Sequence, residues 1–126
     1  MERQEIGTCR PFFPSSKKCC KCGSVKKELK LNVVAQILAA NGNELFYYTF
    51  ANPISKHNYE IDFLLARKNK LCPIEIKSSG YKTHKSLDAF SQKYSDRILW
   101  KYLVYTKDLC KDQDIICLPV YMAQFL

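Results

Sequence analysis

Residues 32–126 predict a mixed α/β domain, a central sheet flanked by helices, preceded by an irregular basic N-terminal tail over residues 1–31. Three observations carry that expectation. Apolar runs of strand length recur through the second piece, with helical patterns before and between them. One run, Leu99 to Tyr105, is apolar at nearly every residue, as a strand buried on both faces is. The chain also changes character near residue 31, where Pro11, Pro14, lysine pairs and clustered cysteines give way to regular patterns.

The elements follow in order. Asn32 is placed to cap a helix from about Val33 to Ala40, with Asn41-Gly42 as its stop. Only Gln36 is polar in its middle, so this helix is expected to be mostly buried. Glu44 to Phe50 has strand composition, and Asn52-Pro53 breaks it. Tyr59 to Leu65 is a second strand, Arg67 to Lys70 a polar turn, and Leu71 to Lys77 a third strand closed by Ser78-Ser79-Gly80. Lys85 to Tyr94 reads as a helix with Leu87, Phe90 and Tyr94 on one face. Leu99 to Tyr105 is the fourth strand. Asp108, Asp112 and Asp114, mixed with Lys107 and Lys111, suggest a solvated hairpin turn before a short extended segment at Ile115 to Leu118 and a brief terminal helix.

Composition sets outer limits. At 126 residues, 47% hydrophobic and 25% charged, the chain has room for one ordinary globular domain and is neither disordered nor fibrous. No apolar run approaches the roughly 18–20 residues that span a bilayer, and MERQEIGTCR lacks the apolar centre of a signal peptide. No membrane association and a cytoplasmic location are expected, with the seven cysteines, an odd total of which Cys9, Cys72, Cys110 and Cys117 are scattered, reduced. The net charge of +8 is uneven. Residues 1–31 hold eight Lys/Arg against three Asp/Glu, and the remainder twelve against nine. That balance makes nucleic acid a candidate partner, and a solubilising tail an equal reading.

Charged residues within apolar strands are usually paired or bound to metal. Asp62, Glu75 and Lys77 are such residues, on neighbouring strands. Alternation puts Glu60, Asp62 and Leu64 on one face of the second strand, and Glu75 and Lys77 on one face of the third. A hairpin through Arg67–Lys70 would bring the two carboxylates within a few ångströms. Carboxylates that close repel unless a cation lies between them, and Mg²⁺ or Mn²⁺ favours such oxygen ligands. Asp62 and Glu75 are therefore candidate metal ligands, with Glu60 a lesser one, and Lys77 is placed to stabilise phosphate charge or orient water. The plainer reading of Glu-x-Lys on a strand is an ion pair. His57 and His84 read as solvated loop histidines, and Trp100 and Tyr102 as one face of the fourth strand.

The stretches NVVAQILAANGNELFYYTF, NYEIDFLLARKNKLCPIEIKSSGYKTHKSLDAF and YLVYTKDLCKDQDIICLPVYMAQFL resemble the PD-(D/E)XK nuclease superfamily. More narrowly they resemble the C-terminal domain of bacterial and archaeal AAA+-type ATPases known as domain of unknown function number 4143. The resemblance implies a restriction-endonuclease-like core over residues 32–126. It matches Asp62 to the first strand acid and Glu75 with Lys77 to the (D/E)-x-K pair, and it implies Mg²⁺- or Mn²⁺-dependent phosphodiester hydrolysis or, in a silent domain, contacts with an ATPase partner or DNA. In that family the first helix opens with Glu-Asn. Here Leu31 precedes Asn32, and Glu28 lies one turn earlier. The chain has no G-x-x-x-x-G-K-[ST] loop, so ATP hydrolysis by that route is not expected.

Within residues 11–31, Cys19 and Cys22 form a C-x-x-C pair followed by Gly23. PSSKKCCKCG resembles the first half of an insertion-sequence transposase zinc ribbon, a nucleic-acid-binding element. A ribbon needs a second cysteine pair some ~15–20 residues on, and none follows. Zinc at Cys19 and Cys22 is disfavoured against an unmetallated tail. A gene fusion near residue 31 would account for both the half ribbon and the missing glutamate.

Overall fold

A computed structural model describes residues 8–11, 25–78 and 82–126. Among these described residues, seven strands form one sheet in the order β1-β2-β3-β4-β5-β7-β6. They are β1 (Thr8–Pro11), β2 (Phe46–Phe50), β3 (Tyr59–Arg67), β4 (Lys70–Ile76), β5 (Lys101–Tyr105), β6 (Cys110–Asp112) and β7 (Ile115–Pro119). Strands β1 to β4 run antiparallel in sequence order. Helix α2 (Lys85–Lys93) then carries the chain to β5, which pairs parallel with β4 and with β7, and β6 returns antiparallel along β7. The sheet is therefore mixed, with helices on both faces, as the sequence predicts.

Helix α1 (Val25–Ala40) begins eight residues before the expected Val33. Asn32 is not its cap but an exposed residue within it. Residues 8–11 and 25–31, read from sequence as irregular tail, supply a strand and two helical turns. The helix stops where Asn41-Gly42 predicts. Gly42 sits at φ 81, its N–H bonds Ala39 O at 2.9 Å, and the Asn43 N–H bonds Leu38 O at 3.1 Å. This Schellman arrangement needs a left-handed residue, which glycine adopts without a side-chain clash. The helix buries one stripe, Val34, Ala35 and Leu38 with Leu31 half-buried behind them. Val33, Gln36, Ala39 and Ala40 are exposed, so the helix is not mostly buried as expected.

Two cores lie on opposite faces of the sheet. The first packs α1 against Phe63, Leu65, Cys72, Ile74, Ile76 and Val104. The second packs Leu87 and Phe90 of α2 against Tyr48, Phe50, Ile61, Leu64, Leu103 and Tyr105. Leu87, Phe90 and the flanking Tyr94 do share the inward face that their spacing predicts. Aromatic rings make much of the second core: Tyr48 meets Phe90 edge-on at 5.5 Å, and its hydroxyl contacts that of Tyr94.

The β3–β4 and β6–β7 hairpins close through two-residue turns, Lys68-Asn69 and Gln113-Asp114. Lys68 and Gln113 both sit at φ 54, the backbone hand that tight hairpins favour. The second turn also serves a buried charge. Lys101 in β5 is 5% exposed, and its Nζ lies 2.5 Å from Asp114 Oδ2 and 3.2 Å from Ser91 Oγ. The hydrogen bond from Lys101 holds the Asp114 carboxyl below its ordinary value, against a smaller opposing effect of burial. Such a group contributes stability above its unfolded pKa, and the contribution is lost as pH falls through the folded one. At neutral pH, Asp114→Asn is expected to lower stability by up to about 1 kcal/mol. The difference in urea midpoint should close as pH drops below about 4.

Candidate acidic site

The site forms where β3 and β4 part. Between Phe46↔Leu64 and Tyr48↔Ile61, β2 advances two residues and β3 three, so β3 carries a bulge around Asp62. The bulge breaks the alternation expected from sequence. Ile61 and Leu64 enter the core under α2, whereas Phe63 and Leu65 enter the core under α1. Asp62 therefore does not simply share a face with Leu64. The β3–β4 ladder ends at Phe63↔Ile74, and one further step of that register sets Asp62 opposite Glu75.

Each charged group has a partner within the fold. Asp62 is buried, and its Oδ2 accepts the Ile76 backbone N–H at 2.8 Å. The side chain takes over as acceptor just beyond the end of the ladder. Glu75 is buried on β4 beside Leu103 of β5, and its Oε1 lies 2.6 Å from Lys77 Nζ. The expected placement of Glu75 and Lys77 on one face holds. Lys77 is itself fixed by its backbone N–H, which bonds Val104 O at 2.9 Å.

Glu60 is exposed and engages Tyr47 of β2. Burial pushes the Tyr47 phenol up to about 12, with further contributions from the Glu60 charge, a hydrogen bond to Glu60 and the Asp62 charge. Tyr47 is thus a neighbour of the acidic residues that strand composition alone did not single out. Its offset across the bulge hides it from a simple register.

Leu31 packs against the α1 core rather than facing the acids. The preceding Lys30 reaches the end of β4, where its Nζ donates to Ser78 O at 2.9 Å. Glu28 is exposed. Among the described residues, no three His, Cys, Asp or Glu side chains are grouped so as to hold a metal ion. Cys19 and Cys22 lie outside the described residues. His57 is exposed in its loop, but His84 is only half-buried at the start of α2, with Nδ1 2.9 Å from Asp88 Oδ2 and Nε2 3.6 Å from Asp112 Oδ2. Trp100 and Tyr102 line a cleft of about 300 Å³ with Arg67, Leu99 and Phe125, on the far side of β4 from Glu75. Among the described residues, no helix is long and apolar enough to cross a membrane.

A mixed α/β domain with a strand-borne acid pair and its lysine is the class that these features define. The chain belongs to the family described as domain of unknown function (DUF4143), whose model matches residues 32–122. No curated protein matches the chain. Among solved structures, it is similar to protein VC1899 from Vibrio cholerae, at 16% identity and a TM-score of 0.46. That similarity covers 79% of this chain and 30% of that one, so the chain spans under a third of that protein's length.

Proposed function

We propose that the chain is a PD-(D/E)XK nuclease-like domain that serves as a binding module rather than as a phosphodiesterase. The observation that carries this reading is the ion pair between Glu75 and Lys77 at 2.6 Å. In a hydrolase of this type the carboxylate would hold metal and the lysine would face the phosphate or the attacking water. Here each neutralises the other. Asp62 is held on the Ile76 N–H, Glu60 on Tyr47, and the first-helix position is an apolar, half-buried Leu31 packed against the core. One oxygen of each strand carboxylate is thus engaged within the fold, which supports a structural use of the pair over the several-oxygen coordination that Mg²⁺ or Mn²⁺ requires.

The partner that the resemblance suggests is an AAA+-type ATPase. The exposed Leu99, Trp100 and Phe125 around the cleft provide the kind of aromatic surface that protein contacts use. The rival reading is an active nuclease acting on DNA.

Plasmid cleavage in Mg²⁺ and in Mn²⁺, run beside Glu75→Ala purified in the same way, separates the two. The expected result is no cleavage above background by either protein. Metal-dependent cleavage by the parent chain that disappears in Glu75→Ala would overturn the binding-module reading.

A further inference from the structure

The geometry points to a disulfide-forming dithiol at Cys110 and Cys117, oxidised by a low-molecular-weight disulfide. The two residues are direct partners across the β6–β7 ladder. Side chains of such partners point to the same side of the sheet. Their Cα atoms lie about 4.5–5.5 Å apart in antiparallel pairs, within the roughly 4.4–6.8 Å that a disulfide spans. Both residues belong to the core beneath α2, Cys117 buried within it and Cys110 packed against it, so the two thiols lie on one face of the hairpin.

The surroundings give the two thiols different roles. Tyr105 donates its hydroxyl hydrogen to Asp108 O at 2.5 Å, which leaves its oxygen to accept from the Cys110 thiol at 3.2 Å. Cys117 lies directly across the ladder from Cys110. Cys110 is half-buried near the edge of the sheet, whereas Cys117 is 1% exposed in the core under α2. Burial pushes the Cys117 thiol up to about 12, and neighbouring Cys110 adds to that rise. Cys117 therefore keeps its proton while Cys110 meets the oxidant.

The reaction then has a defined sequence. The Cys110 thiolate attacks one sulfur of R–S–S–R, forming a mixed disulfide and releasing RS⁻. Cys117 loses its proton and attacks Cys110 Sγ, displacing the second RS⁻. The two protein thiols are oxidised, the small disulfide is reduced, and the two protons leave with the released thiols. The second step is intramolecular, between neighbours across one strand pair, and so gains from proximity. The product staples the hairpin at the edge of the sheet.

The test uses the full reduced chain, incubated with glutathione disulfide, alkylated, and digested with trypsin without reductant. Cleavage after Lys107 and Lys111 puts Cys110 in peptide 108–111 and Cys117 in peptide 112–126. The expected result is that these two peptides are joined and that dithiothreitol separates them. Buried Cys72, on the other face of the sheet, should remain alkylatable only after unfolding. In Cys117→Ser, Cys110 should accumulate as the mixed disulfide with glutathione. Cys110 and Cys117 recovered unjoined in the parent chain, whether or not Cys110 carries glutathione, would overturn the proposal. So would Cys110 joined instead to a cysteine of residues 9–22.

Discussion

Phe63→Ala is expected to lower the stability of the domain by about 3–5 kcal/mol, the range for removing a fully buried aromatic ring. Phe63 has no exposed surface and lies in the core beneath α1, among Leu38, Leu65, Ile74 and Val104. It also follows the β3 bulge at once, so the bulge delivers the ring to that face. Loss of the ring leaves a cavity between sheet and helix that rigid strands cannot collapse to fill. Domains of this kind hold roughly 5–15 kcal/mol in all, so the variant should sit close to unfolding. A urea titration monitored by circular dichroism measures the shift in midpoint. Phe125→Ala is the matched control. That side chain is 73% exposed, and its removal should cost within about 0.5 kcal/mol. Equal midpoints for the two variants would mean that Phe63 is not in the core.

Lys77→Ala is expected to cost about 2–3 kcal/mol. Breaking a buried ion pair by removing one partner costs about 3–5 kcal/mol, because the other charge stays behind in low dielectric. The Lys77 side chain is 27% exposed and that of Glu75 8%, so solvent screens part of this. Adding Glu75→Gln to Lys77→Ala should recover part of the loss, since the stranded charge is then gone. A double-mutant cycle in urea gives the coupling directly. Repeating the Lys77→Ala titration with millimolar Mn²⁺ adds a further reading. An unchanged midpoint is expected of a centre that holds no cation. A midpoint restored by Mn²⁺ would mean that Asp62 and Glu75 do bind one once the lysine is removed.

Much of this architecture is legible in the residues themselves, and the exceptions have identifiable causes. Leu87, Phe90 and Tyr94 at helical spacing, and Glu75 with Lys77 two apart on a strand, are local patterns that survive folding unchanged. The Gly42 stop is local too. The first two turns of α1 are not legible. Lys26, Lys27, Glu28 and Lys30 give no apolar period, and Leu29 stays exposed, so only the later turns carry the signal. Strand β6 is three residues, two of them charged, and it exists because β7 offers an edge. The burial of Lys101 depends on Asp114, thirteen residues away, reaching back through a hairpin turn. At the acidic site the spacing placed Glu75 beside Lys77 but did not report the bond from the Ile76 N–H to Asp62. One extra residue in β3 redirects the chain at Asp62, and no composition rule reports it.

The continuity of α1 across residue 31 would constrain any joining of two ancestral sequences at that point. Lys30 reaches Ser78 and Leu31 faces the core only because both lie in phase with Val34, Ala35 and Leu38. Each residue inserted into a helix turns everything before it by about 100°. One extra residue at the seam would swing the lysine away from β4 and bring an exposed position inward. If two ancestral sequences were joined there, only junctions keeping whole helical turns would have preserved both contacts, so the reading frame had to suit the helix as well as the code.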